Sequence, residues 1–166
     1  MNALSKLNRG ESTPRGLDET DRRILRVLQA EPDLPVAQLS ERVGLSQTPC
    51  WRRLKRLKAD GVIQRLALIL DPRQLGLPVS VLAHLRLHRH DEETLEGLEV
   101  AVTGHAEIVE CFSVSGESDY VRRVVAASID DYERFLKKVL LHLPGVASVN
   151  SSFMLNVVKM TTDLPI

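Results

Sequence analysis

Apolar residues recur every three or four positions in the first part of the chain, and this spacing predicts amphipathic helices. Ile24, Leu25 and Leu28 fall on one face of a first helix, which Asp18 can cap and which should end near Ala30. The segment PVAQLSERVG repeats the pattern over a shorter length. The chain is therefore expected to contain two helices in close succession.

A third helix is predicted to follow almost without a loop. Gly44 can adopt the left-handed conformation that ends the second helix, and Ser46 can cap the next one. The third helix should run to about Asp60 and end at Gly61. Two helices joined by so tight a turn predict a helix-turn-helix, whose second helix can enter the major groove of DNA.

After this point the apolar residues alternate, as they do in β-strands. A strand at VIQRLALIL, a turn at DPRQLGLP and a strand at VSVLAHLRL are predicted first. They are followed by a helix over about 91–102, strands at IVECFSVS and YVRRVVAA, a helix over about 128–143 and a strand over about 146–159. Counted from VSVLAHLRL, the order βαββαβ predicts a ferredoxin-like sheet with both helices on one face.

The predicted fold class is α+β. We expect a flexible tail at 1–16, whose composition cannot offset the entropy of ordering, a helix-turn-helix domain at 17–65, a linker at 66–78 and a ferredoxin-like domain at 79–166. The sheet face turned away from the helices carries Leu82, His84 and Arg86, a mixed surface that favours the pairing of two sheets in a homodimer.

The net charge of zero conceals an uneven distribution of charge. Residues 17–65 hold ten basic and seven acidic side chains, whereas residues 66–166 hold nine basic and fourteen acidic ones. The N-terminal excess is compatible with double-stranded DNA as a partner. Two widely separated cysteines, the lack of a long apolar run and the lack of a signal-peptide pattern favour a cytoplasmic protein with no metal, cofactor or membrane contact.

The third predicted helix concentrates the positive charge. In CWRRLKRLK, Cys50, Leu54 and Leu57 form a stripe for packing, and the basic residues occupy the rest of the helix. Basic side chains gain affinity for phosphates by displacing counterions, and an arginine near a helix start can bond guanine edges. The predicted DNA-contacting residues are Ser46, Gln47, Thr48, Trp51, Arg52, Arg53, Lys55, Arg56 and Lys58.

Within this set the roles are expected to differ. Gln47, Thr48 and Arg52 lie in the first turns and are candidates for base edges or nearby phosphates, whereas Arg53 and Arg56 should hold the DNA backbone. Trp51 either packs on the flank of the domain or lies against a sugar, and packing is favoured. A merely solvated basic face is disfavoured by the glycine turn and serine cap that precede it.

The turn SGESD between two predicted strands has two interpretations. Gly116 permits a close backbone approach, and the carboxylate of Asp119 beside free N–H groups can hold the ammonium and carboxylate of an amino acid. A plain hairpin turn explains the same residues. Chemistry alone favours the plain turn.

Several stretches together resemble a known family. LDETDRRILRVLQ, LSERVGLSQTPCWRRLKRLKADGVI, LDPRQLGL, SGESDY and LPGVASVNSSF are similar to the Lrp/AsnC family of leucine-responsive and related transcription regulators. The resemblance covers nearly everything after the tail. It implies a winged helix-turn-helix that binds operator DNA and a RAM- or ACT-like domain that forms dimers and often octamers. It also implies a small effector, usually an amino acid, bound between subunits near the S-G-x-x-D turn.

The resemblance changes the interpretation of the turn from a plain hairpin to an effector site. By position it implies effector contacts from Ser113, Gly116, Asp119, Tyr120, Ile129, Ser151, Ser152 and Phe153. Ser113 and Ser152 are smaller and more polar than the residues of leucine-responsive members, which argues against leucine. A local regulator of amino-acid metabolism, associated with the nucleoid, is favoured over a global one.

Two alternatives stay open at this stage. Sirohaem decarboxylases share the two-domain fold, and His84, His88 and His90 lie on one face of a strand or its continuation, where a tetrapyrrole or metal can bind. A basic recognition helix would have no purpose in such an enzyme, so we expect no enzymatic activity. The other alternative is a DNA-organising protein that senses no effector and in which the turn is structural.

Overall fold

The computed structural model describes residues 16–166, so the tail predicted at 1–16 lies outside the described residues except for its last position. The chain forms two compact units. The first contains residues up to 69 together with Lys159–Ile166, and the second is Leu70–Val158. The domain boundaries predicted from the sequence assign residues 159–166 to the second unit instead. Hydrogen bonds to α1 explain the difference, because Gln29 bonds both backbone groups of Leu164.

Three helices build the first unit: α1 (Glu19–Ala30), α2 (Val36–Arg42) and α3 (Gln47–Ala59). The α1 N-terminus is closed by a capping box, in which Asp18 and Asp21 each accept the other's backbone N–H. Gly44 follows α2 in the left-handed region, at a φ of 68°. The helix-turn-helix prediction is confirmed, although the Ser46 hydroxyl makes no capping hydrogen bond at the start of α3.

The second unit contains four strands and two α-helices in the predicted order βαββαβ. The elements are β1 (Val79–Leu87), α4 (Glu92–Thr103), β2 (Ile108–Ser113), β3 (Tyr120–Ala126), α5 (Ile129–Lys138), a 3₁₀ turn (Leu140–His142) and β4 (Val146–Phe153). All neighbouring strands are antiparallel, and their order across the sheet is β2-β3-β1-β4. The ferredoxin-like fold is confirmed.

The alternation in β1 determines which face of this sheet is buried. Val81, Ala83 and Leu85 are fully buried in a core shared with Leu98 of α4 and Tyr132 of α5. The intervening side chains, including Leu82, His84 and Arg86, are half-buried or exposed on the other face. The sheet therefore has one face covered by helices and one face open to a partner, as expected for this topology.

The prediction of a strand at VIQRLALIL is wrong. Residues 64–70 have no regular secondary structure, and Leu68 is 85% exposed. The alternation is compatible with a strand, but a strand also needs neighbouring backbone groups to pair with, and no strand within residues 16–166 pairs with this segment. For the same reason the last strand ends at Phe153 and not near 159.

Gly145 provides a test of the packing between the start of β4 and α4. Its φ is 72°, and a Cβ at this position would lie 2.1 Å from Cγ2 of Thr94. We expect Gly145→Ala to lower the free energy of unfolding by about 2 kcal/mol or more, from backbone strain and this clash. Urea denaturation followed by circular dichroism measures the loss.

Gly104→Ala is the matched control for this measurement. Gly104 has a helical φ of −81°, and a Cβ there would meet only the Ala101 carbonyl oxygen at 3.4 Å. The control should change stability little. Equal stability of the two alanine variants would contradict the predicted clash.

Candidate nucleic-acid interface and effector site

The predicted DNA-contacting residues divide into two sets in the structure. One set is exposed: Ser46, Gln47 and Thr48 at the start of α3, followed at a helical spacing of three to four by Trp51, Arg52, Lys55 and Lys58. Among the described residues, no carboxylate lies within ion-pair distance of Arg52, Lys55 or Lys58. This side of α3, which we call the exposed α3 face, therefore presents positive charge and polar groups to solvent.

The other set, Arg53 and Arg56, is turned towards α1. Nη1 of Arg53 lies 2.6 Å from Oδ2 of Asp18 and 2.8 Å from Oδ1 of Asp21. Arg56 donates to the second carboxylate oxygen of Asp21, which is fully buried. The Arg53 hydrogen bond lowers the pKa of Asp18, and the two carboxylates raise the pKa of Arg53. These arginines hold α3 against α1, a role that the sequence analysis did not foresee.

Trp51 does not pack on the flank of the domain as predicted. Its side chain is 51% exposed, and Nζ of Lys55 lies 5.2 Å from the ring centroid. The packed stripe of α3 runs through Cys50 and Leu57, which are buried, and Trp51 lies about 100° around the helix from Cys50. An exposed indole beside a cation extends the exposed α3 face with a flat apolar surface.

The buried carboxylate of Asp21 provides a test of how α3 is held. Asp21→Asn removes the charge that pairs both arginines, and we expect the free energy of unfolding of this unit to fall by about 2 kcal/mol. This is less than the ~3–5 kcal/mol typical of fully buried pairs, because both guanidinium groups are partly exposed. Thermal or urea denaturation measures the effect.

Glu19→Gln is the matched control for Asp21→Asn. Glu19 lies on the same helix and pairs with Arg26, but both side chains are largely exposed, so its loss should cost little. If Asp21→Asn is no more destabilising than Glu19→Gln, the buried carboxylate does not hold the helices together.

Hydrogen bonds hold the SGESD turn against the end of β1. The Asp119 carboxylate accepts the Leu87 N–H at 2.7 Å and lies 2.8 Å from Nε2 of His90. These two bonds, the one from His90 foremost, lower the pKa of Asp119. Arg86 donates to the backbone oxygen of Glu117 from the other side of the turn. The carboxylate therefore organises the turn from within, and its remaining lone pairs are what it can offer a ligand.

The eight predicted effector residues form two separate groups. Ser113 and Gly116 are exposed at the β2–β3 turn, with Asp119 partly buried and Tyr120 buried beside them. The second group consists of Ile129, at the start of α5, and Ser151, Ser152 and Phe153 on β4. Because β2 and β4 are the opposite edges of the sheet, three strand spacings, roughly 14 Å, separate Ser113 from the β4 strand, and two spacings, roughly 10 Å, separate Tyr120 on β3 from it. We call them the turn group and the β4 group.

Contacts within the β4 group favour a site on the helix side of the sheet. Ser151 bonds the hydroxyl of Tyr132, and the Phe153 ring packs edge-on against the Tyr132 ring at 5.5 Å. Ile129, the first residue of α5, is 62% exposed. Ser152 lies opposite Leu82 in the register, on the open face of the sheet. The surface cavity between β3 and α5, lined by Glu107, Arg134 and Lys138 among others, includes none of the eight residues.

The histidines considered for a tetrapyrrole or metal do not converge. His84 is half-buried on the open sheet face, His88 is exposed and His90 bonds Asp119. Within residues 16–166 there is no cluster of three or more His, Cys, Asp or Glu side chains that could hold a metal ion. Over the same residues, no helix has the length and apolar character needed to cross a bilayer.

Comparison with known proteins also divides the chain into two domains, and it differs from the division in the structure in assigning residues 159–164 to the second domain. Residues 17–64 match a model described as winged helix-turn-helix DNA-binding, and residues 80–164 match the Lrp/AsnC ligand binding domain. The chain is 37% identical over 150 residues to the DNA-binding transcriptional activator DecR of Escherichia coli K12, covering 90% of this chain and 99% of that protein. It is 35% identical to the glutamate uptake regulatory protein of Zymomonas mobilis, with 92% of each covered.

A solved structure shows the same fold. The crystal structure of a transcriptional regulator of Neisseria meningitidis in complex with L-methionine superimposes with a TM-score of 0.84 at 35% sequence identity. The match covers 90% of this chain and 97% of that one.

Proposed function

Since the chain belongs to the Lrp/AsnC family of DNA-binding transcriptional regulators, we propose that it reads operator DNA through the exposed α3 face and responds to an amino-acid effector. It is a regulator and not an enzyme. The observation that carries the proposal is a set of cations on the outer side of α3 that pair with no carboxylate of residues 16–166, while ion pairs hold the inner side of the helix against α1. A helix held in this way can present its outer side to a groove in one orientation.

Each exposed residue has a proposed role at the duplex. Gln47, Thr48 and Arg52 lie in the first two turns, where a recognition helix meets base edges. Lys55 and Lys58 contact phosphates further along the helix, and Trp51 lies against a sugar. Arg53 and Arg56 act mainly by positioning α3, and their remaining N–H groups are available to the DNA backbone.

Arg52 and Lys58 separate base reading from phosphate binding. Arg52→Ala should weaken binding to the operator by about 1–3 kcal/mol, whereas the affinity of this variant for unrelated DNA should hardly change. Lys58→Ala should weaken binding to both and reduce the slope of log affinity against log salt by about 1. Fluorescence anisotropy with operator and scrambled duplexes over a salt series measures both effects.

Lys137→Ala is the control for this pair. Lys137 is an exposed cation on α5, in the second unit, and pairs with Glu133. Its removal changes the net charge as Lys58→Ala does, but Lys137 is not part of the exposed α3 face, so DNA affinity and salt slope should stay unchanged. If Arg52→Ala retains operator affinity, this helix does not read the operator as proposed.

The effector site is proposed to form between subunits. In a single chain Ser113 lies on the sheet edge opposite β4 and Tyr120 lies two strands from β4, so a ligand as small as an amino acid that contacts both groups needs one group from each of two chains. The turn around Gly116 can offer backbone N–H groups to a carboxylate, and Asp119, whose pKa is lowered, is ionised at neutral pH and can attract an ammonium. The L-methionine complex of the Neisseria regulator supports an amino acid as the effector class.

A mixing experiment tests the shared site. Ser113→Glu alters the turn group and Ile129→Glu alters the β4 group, both at exposed positions, and each variant alone should lose amino-acid binding by calorimetry. After the two variants are unfolded and refolded together, about one quarter of the sites should recover, because some sites then combine two intact groups.

The other outcomes distinguish the alternatives. If both variants lose binding and the mixture recovers none, both groups act within one chain. If one variant alone keeps binding, the group it alters is not part of the site. If the unmodified protein binds none of the common amino acids and still binds DNA, the alternative of a DNA-organising protein without an effector is favoured. Asp119→Ala, compared with Asp91→Ala at the N-cap of α4, tests whether an ionised carboxylate at the turn itself is needed.

We propose a homodimer formed through the open sheet face and further assembly up to an octamer. Two features support this. The open face carries Leu82 and Phe112, and the segment at 64–70, which pairs with no strand of the described residues, can offer its backbone groups to another chain. The proposed setting is the cytoplasm, on nucleoid DNA, where genes of amino-acid metabolism would be controlled locally.

A further inference from the structure

An arginine lies inside the core of the second unit. Arg122 is fully buried on the helix-covered face of β3, in line with Tyr120 and Val124. Its neighbours across the sheet are Ala83 on β1 and Cys111 on β2. The small side chain of Ala83 leaves room for the guanidinium. Neither the exposed α3 face nor the two effector groups include this residue.

The guanidinium is directed at a cysteine and is only partly satisfied. Nε of Arg122 lies 3.4 Å from Sγ of Cys111, and the guanidinium carbon lies 5.9 Å from the ring centroid of Tyr120. The two terminal nitrogens are buried without a hydrogen-bond partner among the described residues. A buried donor without an acceptor is costly, and the cost is greater for a charged group. An acceptor added at the sulfur would therefore be stabilised.

The two cysteines of the chain have opposite surroundings. Cys111 is exposed on β2, an edge strand, with a positive charge beside its sulfur. Cys50 is fully buried in the first unit, and this burial raises the pKa of its thiol. Reactive cysteines are typically partly exposed beside a positive charge, whereas buried apolar cysteines are inert. Of the two cysteines, only Cys111 is exposed beside a positive charge.

We propose that Cys111 is a peroxide-reactive modification site whose oxidised form is held by Arg122. The Cys111 thiolate attacks one oxygen of hydrogen peroxide, an S–O bond forms, the O–O bond breaks, and the departing hydroxide takes the proton of the transferred oxygen to become water. The sulfur loses two electrons and the peroxide gains them. The product is a sulfenate, whose oxygen accepts hydrogen bonds from the terminal nitrogens of Arg122.

Peroxide treatment of the full-length protein tests the site directly. Limiting hydrogen peroxide is added with a 1,3-dione that traps sulfenic acids, and the labelled peptides are quantified by mass spectrometry. Label should appear on Cys111 and not on Cys50. After denaturation in urea the two cysteines should react alike, which shows that the folded structure causes the difference.

Moving the thiol to a neighbouring exposed position tests whether the reactivity of Cys111 comes from its exposure alone or from Arg122. The double variant Cys111→Ser, Ser113→Cys places an exposed thiol two residues along the same face of the same edge strand, about 7 Å from its original position. We expect Cys111 in the unmodified protein to be labelled roughly tenfold faster than this displaced thiol. Equal rates would overturn the proposal.

Arg122→Met and Arg122→Lys complete the test. Methionine removes the charge at similar volume and should slow labelling of Cys111 roughly tenfold, whereas lysine should retain part of the rate. Urea denaturation checks that both variants are folded, and replacing a buried charge by an apolar side chain is often tolerated. If folded Arg122→Met is oxidised at the unmodified rate, or if Cys111 stays unlabelled in the unmodified protein, Arg122 does not support a reactive thiol.

Discussion

The buried carboxylate of Asp21 is the constraint on which the DNA-reading surface depends. It binds Arg53 and Arg56, which are three residues apart and therefore point to the same side of α3. Once these two cations are directed inward, the rotation of the helix is set, and Arg52 and Lys55 must point outward. The sequence predicts Arg53 and Arg56 as part of the DNA-contacting surface. In the structure they orient that surface.

Much of the fold could be predicted because hydrophobic periodicity and capping residues act locally. The three N-terminal helices, the order βαββαβ and the buried face of β1 all follow from spacing alone. The predictions that were wrong depend on which other residues a segment contacts, and the spacing of apolar residues does not specify those contacts. VIQRLALIL alternates as a strand does but has no neighbour to pair with, and the exposure of Trp51 depends on where its neighbours on α3 pack.

The site was predictable to a smaller extent. Helix position and charge identified the exposed α3 face, but only the resemblance to the Lrp/AsnC family drew attention to the β4 group, because Ile129 and Ser151 carry no chemistry of their own. The sequence could not show that Asp119 already bonds Leu87 and His90. Nor did the basic pair in YVRRVVAA indicate that one arginine lies in the core, although the alternation of the strand places Arg122 there.

The segment Lys159–Ile166 has a practical consequence for dissecting the molecule. Arg26 donates to the Ile166 carbonyl, Gln29 bonds Leu164, and the Ile166 side chain packs on the core of the helix-turn-helix unit. That unit is therefore assembled from both ends of the described chain. An excised fragment ending at residue 69 would lack these contacts, so its melting temperature and DNA affinity would understate those of the intact unit.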